Sequence, residues 1–371
     1  MSRLGLVESL ASEETNNTAD EERVERVAVC LFQARAYHTS SIKEGSKHMT
    51  EYLLFIHGVN TRETRDQPTY ADQLIEQIQR LRSPQTRIKP VPLYWGDVNI
   101  EAEQKLQKRL EESPAWEKLY FKEFRANQFL QFTGDAALYL SRAVGKQIVE
   151  YLIQQAESGL QGFTLGTDHI HLITHSLGAI ILFDVLFSSR WDEKNAGGYK
   201  GVEKLRERIF HDSTPIRSIH TMGFPLGLFS LTTVSDPQLP NTHDITSRLR
   251  QYLQDLCGTL KTPFPWRNYL HSMDIIATPI EQLLPEMLGA AAEGCLDVKD
   301  IVTQETGIFS RLFSRISQAL SLIELEGEVE QVQLAVSGGE AHSNYWSSRV
   351  VASTIVQTIE ATVRQPQLQP A

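Results

Sequence analysis

The sequence holds only three cysteines, Cys30, Cys257 and Cys295. Their number is odd and their spacings are wide. Neither a disulfide framework nor a CxxC metal site is expected, and a reducing, cytoplasmic compartment is the simplest reading. Lysine and arginine form no long run, and the formal net charge is -10. A surface of that sign repels phosphate backbones, which sets nucleic acid aside as a partner. No apolar stretch reaches the roughly 18 residues that a membrane span needs. Residues 1–8 lack the apolar core of a secretory signal. Contact with a membrane surface stays open, and the sequence names no protein partner. There is no GxxxxGK[ST] and no GxGxxG after a strand, so no nucleotide cofactor, nor any other, is expected. No internal repeat and no low-complexity linker divides the chain.

What is present is an ordinary globular balance. The 371 residues are 41% hydrophobic and 22% charged, enough for one large α/β domain or two smaller ones. Residues 1–48 are polar and acidic in large part and are expected to be a mobile or peripheral segment. From residue 49 onward the pattern becomes regular. Tyr52–Ile56 is a continuous apolar run, as expected of a strand buried on both faces of a parallel sheet. A helix is expected over 70–81, a second strand over 88–95, and a long helix over 134–156. Strands follow at 170–173, 216–222, 266–270 and 296–302, and helices at 177–187, 244–256, 280–288, 307–323 and 347–363. Alternation over 329–336 suits a further strand or extended loop. Two stretches depart from the rhythm and are read as insertions, about 99–132 and 231–265. The first is rich in aromatic residues, including Trp116, Tyr120, Phe121, Phe124, Phe129 and Phe132. These rings either pack on the core or cap a site. The apolar stripe Ile308, Phe309, Leu312, Phe313, Ile316, Leu320 and Ile323 is either a packed helix or one that docks on lipid.

The run Ile170–Ile173 breaks at Thr174-His175-Ser176-Leu177-Gly178 and resumes as an apolar helix. A strand, a tight turn carrying a serine, and a helix make a nucleophile elbow. Serine is a poor nucleophile at neutral pH without a base to take its proton and an acid to orient that base. Two downstream stretches can supply them. Asp274 lies just past a strand, with Asp236, Asp244 and Asp255 as competitors. His342 lies in a Gly/Ser-rich loop before the last helix. The developing oxyanion needs two converging N–H donors. Leu177 follows the serine, and Val59 follows Gly58 in the loop after the first strand. Asn60, Trp95 and Phe224 are candidate substrate contacts. His57 is expected to be structural. His169, His171 and His175 are better read as packed or hydrogen-bonded histidines than as metal ligands, so no metal site is expected.

Taken together, His57-Gly58-Val59-Asn60, Thr174-His175-Ser176-Leu177-Gly178, Gly223-Phe224-Pro225-Leu226-Gly227, the 266–279 stretch with Asp274, and Ala341-His342-Ser343-Asn344-Tyr345-Trp346 resemble the α/β-hydrolase superfamily. Within it they are most similar to its lipase-like serine esterases. The resemblance runs from about residue 52 to 363. It implies an α/β-hydrolase fold: a mainly parallel, doubly wound sheet with helices on both faces and cap-like insertions. It further implies Ser176 as nucleophile, His342 as base, Asp274 as acid, Val59 and Leu177 as oxyanion donors, and a small-molecule or lipid ester as substrate. Two positions depart from the pattern. Thr174 stands where glycine is usual, and Phe224 where serine often precedes the proline. A thioester or amide substrate, or an inactive member used as a binding module, remains open.

Overall fold

The computed structural model describes residues 49–119, 122, 130–192, 199–210, 216–226, 244–259, 262–289, 294–303 and 341–364. All lie in the compact unit Met49–Ala371. The expected elements at 307–323 and 329–336, four aromatic residues of the first insertion (Tyr120, Phe121, Phe124 and Phe129), and Asp236 fall outside the described residues.

Six strands form one sheet: β1 (Thr50–Ile56), β2 (Arg87–Leu93), β3 (His169–His175), β4 (Ile216–Met222), β5 (Phe264–Leu270) and β6 (Leu296–Val302). Their order is β2-β1-β3-β4-β5-β6, and every pairing is parallel. The crossovers that a parallel sheet requires are helical. They include α1 (Asp72–Leu81), α2 (Ile100–Glu111), α3 (Leu130–Leu140), α4 (Arg142–Gly159), α5 (Leu177–Phe187), α6 (Lys200–Phe210), α7 (Thr246–Thr259) and α8 (Leu283–Leu288). Helix α9 (Arg349–Val363) follows the last strand.

The pleat sends alternate residues of each strand to opposite faces, and both faces are covered. Tyr52, Leu54 and Ile56 of β1 belong to an apolar cluster with Ile148 and Leu152 of α4, Ile180 and Phe183 of α5, and Leu253 of α7. Leu53 and Phe55 join Leu74 and Ile78 of α1 and Val351 and Ile355 of α9. Helix α5 is buried along its whole length, which explains why Leu177–Phe187 carries no polar face apart from Asp184. That carboxylate is held by Tyr139 Oη, Arg190 and Trp191 Nε1.

Two expectations need correction, and one stretch for which no element is expected contains a helix. The long helix over 134–156 is two helices, broken at Ser141, whose backbone is extended (φ −60°, ψ 133°). The carbonyls around the break share a buried donor. Arg190 Nη2 donates to Tyr139 O at 2.7 Å, Leu140 O at 3.3 Å and Ser141 O at 3.4 Å. The polar stretch after Ser188 contains helix α6, anchored where Arg206 meets Asp192 Oδ1 at 2.8 Å and Ser188 O at 2.6 Å. Cys295 is disulfide-bonded, so the sparse cysteines give no support for a reducing compartment. No helix among the described residues is long and apolar enough to cross a membrane.

Candidate active site

The carboxyl ends of β1, β3, β4 and β5 converge on Ser176. At the end of β3 the chain must reverse into α5 within one residue, and Ser176 takes that turn with φ 51° and ψ −126°. A side chain other than glycine rarely adopts positive φ, and such strain persists only where neighbours enforce it. Here they do. Ser176 N–H donates to Met222 O of β4 at 2.9 Å. A Cβ on Gly178 would stand 2.3 Å from His57 O, and one on Gly58 would stand 2.5 Å from the Ser176 Cβ. The loop after β1 is therefore pressed directly against the serine and the first turn of α5. Thr174 is fully buried. It sits within β3, opposite Ile56 and Thr221, and its hydroxyl reaches His220 O at 3.4 Å. The close approach that demands glycine in the elbow is at Gly178, after the serine, and Thr174 is accommodated within β3.

The strand order, the helices on both faces and the strained serine turn at the end of β3 define the architecture. It is an α/β-hydrolase fold.

Asp274 and His342, 68 residues apart, meet at 2.8 Å between Oδ2 and Nδ1. Asp274 is placed by the turn after β5, where its N–H donates to His271 O at 2.9 Å. Its Oδ1 accepts from Ile276 N–H at 3.0 Å and its Oδ2 from Tyr345 Oη at 2.7 Å. Burial alone would raise this carboxyl. The His342 contact, Tyr345 and the backbone donors outweigh it and hold Asp274 at about 2. The ion is an acceptor only, so Nδ1 of His342 carries the proton that it shares with Asp274. Nε2 then presents its lone pair. This atom is buried and has no hydrogen-bond partner among the described residues. The backbone of His342 is held as well. His175 Nε2 donates to His342 O at 2.5 Å, and the two rings lie 4.6 Å apart. Burial first, and then the neighbouring His342, push His175 down to about 3, so it stays neutral. Trp346 packs edge-on against His175 at 5.7 Å and against Tyr70 at 5.0 Å. Gly223, at φ 57°, closes the arrangement. A Cβ there would stand 2.9 Å from His342 Cε1 and 3.0 Å from Asp274 Oδ2.

The two amides read as oxyanion donors belong to the residue after Ser176 and to the loop pressed against it through Gly58. Leu177 opens α5, and the N–H groups in the first turn of a helix have no acceptor within it. The Val59 amide belongs to the planar peptide whose carbonyl is Gly58 O. That carbonyl accepts from His57 Nδ1 at 2.7 Å, which turns the Val59 N–H the opposite way. The tautomer of His57 is fixed because Nε2 accepts from Trp95 N–H at 3.0 Å. Burial pushes His57 down to about 4, so it stays neutral.

The remaining candidates are placed as follows. Trp95 is fully buried, its ring stacked 5.0 Å from His57 and its Nε1 donating to His57 O at 3.0 Å. Phe224 is equally buried against Phe183 and Trp266. Both support the loops of the site from within the core rather than facing out of it. Asn60 is exposed, at φ 63°, with its N–H bound to Asp135 Oδ2 at 2.8 Å. Asp244 instead caps its own turn by accepting from Thr246 N–H, and Asp255 sits on α7 bonded to Gln251. His169 and His171 both contact Glu51. No group of side chains suited to a metal ion occurs among the described residues. Sequence reasoning missed Tyr345, Asp135 and the hold of His175 on His342. Tyr345 and His175 lie inside the quoted motifs, whereas Asp135 carries no local signal.

No protein-family model matches the chain, and no curated protein matches it. Solved structures do resemble it in part. One is RedJ with a PEG molecule bound in the active site, at 16% identity and a TM-score of 0.30, covering 76% of this chain and 98% of that one. Another is the RedJ thioesterase from the prodiginine biosynthetic pathway in Streptomyces coelicolor, at 14% identity and a TM-score of 0.30, covering 77% and 94%. Similarity at that level leaves the chemistry of this chain to its own side chains.

Proposed function

We propose that the protein is a serine hydrolase that cleaves carboxylic esters with apolar acyl groups through an acyl-enzyme. The observation that carries this reading is the His342–Asp274 pair. The pair is buried, the His342 carbonyl is bonded to His175, which directly precedes the serine of the strained turn, and the outer nitrogen of the imidazole is unpartnered among the described residues. His342 Nε2 takes the Ser176 proton as Oγ attacks the carbonyl carbon. Asp274 stabilises the imidazolium that forms. The amides of Val59 and Leu177 receive the negative charge on the carbonyl oxygen. His342 then gives its proton to the departing alkoxide, and the alcohol leaves. Water, deprotonated by His342, attacks the acyl-enzyme and releases the acid and free Ser176. The apolar acyl preference rests on the aromatic content of the 99–132 insertion.

A fluorophosphonate probe tests the nucleophile. The full-length chain should be labelled on Ser176, and Ser176→Ala should lose the label together with at least about 10³ of kcat. Equal labelling of the two proteins would overturn the assignment. A panel of ester and thioester substrates of rising acyl length tests the specificity. Turnover confined to short chains would sink the apolar acyl preference, and turnover of thioesters alone would sink the choice of ester.

A further inference from the structure

The loop that carries Val59 is gripped on its far side by a residue that no motif marks. Asn60 N–H, in the peptide next to the Val59 amide, donates to Asp135 Oδ2 at 2.8 Å. Asp135 lies on α3, 75 residues along the chain, and is completely buried. Its carboxylate is saturated. Arg62 reaches Oδ2 with Nη1 at 3.2 Å and Oδ1 with Nη2 at 3.0 Å, and Asn99 Nδ2 reaches Oδ1 at 3.0 Å. Arg62 is held in turn by Glu103 of α2, at 2.7 and 2.6 Å. Asn60 stands in the left-handed region (φ 63°), a conformation that asparagine adopts more readily than other non-glycine residues, and the Asp135 bond fixes its amide there. On its near side the loop is fixed by His57 and Trp95. The Val59 amide is thus clamped between two sets of hydrogen bonds, and one of them comes from the segment between β2 and β3.

We propose that Asp135 is a positioning residue for the oxyanion-binding amide of Val59, so that the segment between β2 and β3 sets how well the site stabilises its transition state. This rests on the serine-hydrolase reading above. A donor aimed by buried hydrogen bonds acts on charge that develops only in the transition state. Its misalignment therefore lowers kcat and leaves KM nearly unchanged.

The test uses the full chain, with active sites counted by fluorophosphonate labelling of Ser176, so that kcat is expressed per competent serine. Asp135→Ser is too short to reach Asn60 N–H and Arg62 together. Asp135→Asn keeps one acceptor but turns an amide NH2 toward a donor. The expected order of kcat is wild type, then Asp135→Asn at roughly one half to one fifth, then Asp135→Ser at about one tenth or less, with KM within threefold throughout. Outright removal of an oxyanion donor costs roughly 10²–10³, which bounds the effect from above. Wild-type kcat per labelled serine in Asp135→Asn would overturn the proposal, whether or not Asp135→Ser folds. So would a rise in KM at constant kcat. Failure of the wild-type chain to label or turn over would remove the hydrolase reading, and this proposal with it.

Discussion

Gly223 shows how narrow the tolerance is at the site. Its φ of 57° suits glycine, and the space where a Cβ would go already holds His342 Cε1 at 2.9 Å and Asp274 Oδ2 at 3.0 Å. The methyl group of Gly223→Ala must push apart the 2.8 Å bond between those two side chains, since the backbone behind it is fixed by Gly223 N–H on Tyr269 O at 3.1 Å. We expect Gly223→Ala to lower kcat by about 10² or more, because the base loses its orientation. Labelling by fluorophosphonate should slow in proportion. An alanine variant with wild-type kcat would show that the pair has room to move. The same kind of crowding separates what the elbow sequence disclosed from what it hid. Gly178 is required by the closeness of His57 O, whereas Thr174 is accommodated within β3 with its hydroxyl on His220 O.

At the scale of the strands, the sheet contains a line of polar groups that the apolar patterning conceals. Glu51 of β1 accepts from His169 Nδ1 at 3.2 Å and His171 Nε2 at 2.8 Å on β3. From His171 Nδ1 the line continues to Ser218 Oγ at 2.6 Å, to His220 Nε2 at 3.0 Å on β4, and from His220 Nδ1 to Tyr269 Oη at 2.8 Å on β5. An ionised Glu51 can only accept, and this sets the direction of every later bond. Tyr269 donates to His220, His220 to Ser218, Ser218 to His171, and His171 to Glu51. Burial opposes the charge on Glu51, but the two histidines outweigh it and bring Glu51 down to about 2. Its stability contribution is therefore present above about pH 4.5 and is lost as the pH falls toward 2. Glu51→Gln should cost on the order of 2 kcal/mol at pH 7 in urea unfolding. The gap from wild type should close between about pH 4.5 and 2. A gap that stays constant down to pH 2 would mean that Glu51 is not ionised in the folded chain. This line across four strands is where His169 and His171, which like His175 read from the sequence as packed or hydrogen-bonded rather than metal-binding, find their partners. The first two share a partner on the next strand, and the third serves the loop of His342.

For the molecule as a whole, the legible part was the part fixed by local pattern. Strands buried on both faces read as apolar runs, and β4 and β6 match the expected spans residue for residue. The Asp274–His342 contact was also legible, because each residue sits in a short motif just past a strand or before a helix. Asp135 and Glu103 were not. Their role depends on where α2 and α3 pass the loop after β1, and no spacing in the sequence encodes that approach. Nor did any pattern announce the buried Arg190 that permits the break at Ser141. The same long-range burial sets the response of the protein to pH. Burial lowers His57, His171, His175 and His220, which remain neutral when folded and must take up protons when unfolded. Each contributes stability that is present above about pH 6.5 and is lost as the pH falls, at up to about 1.4 kcal/mol per pH unit. Asp274 and Glu51 extend the loss toward pH 2. Burial raises Glu103, which opposes this trend as its folded form takes up a proton on the way down. Burial also raises the phenols of Tyr70, Tyr139 and Tyr269, so their contribution is present below about pH 10 and is lost above it. Unfolding free energies measured by urea at pH steps from 4 to 11 should therefore form a plateau between about 7 and 10. The acid limb should begin near 6.5, well before Asp274 and Glu51 titrate. A plateau that runs unbroken down to pH 5 would mean that these histidines take up protons within the folded protein, and that His175, charged against His342, does not hold the base as the static geometry requires.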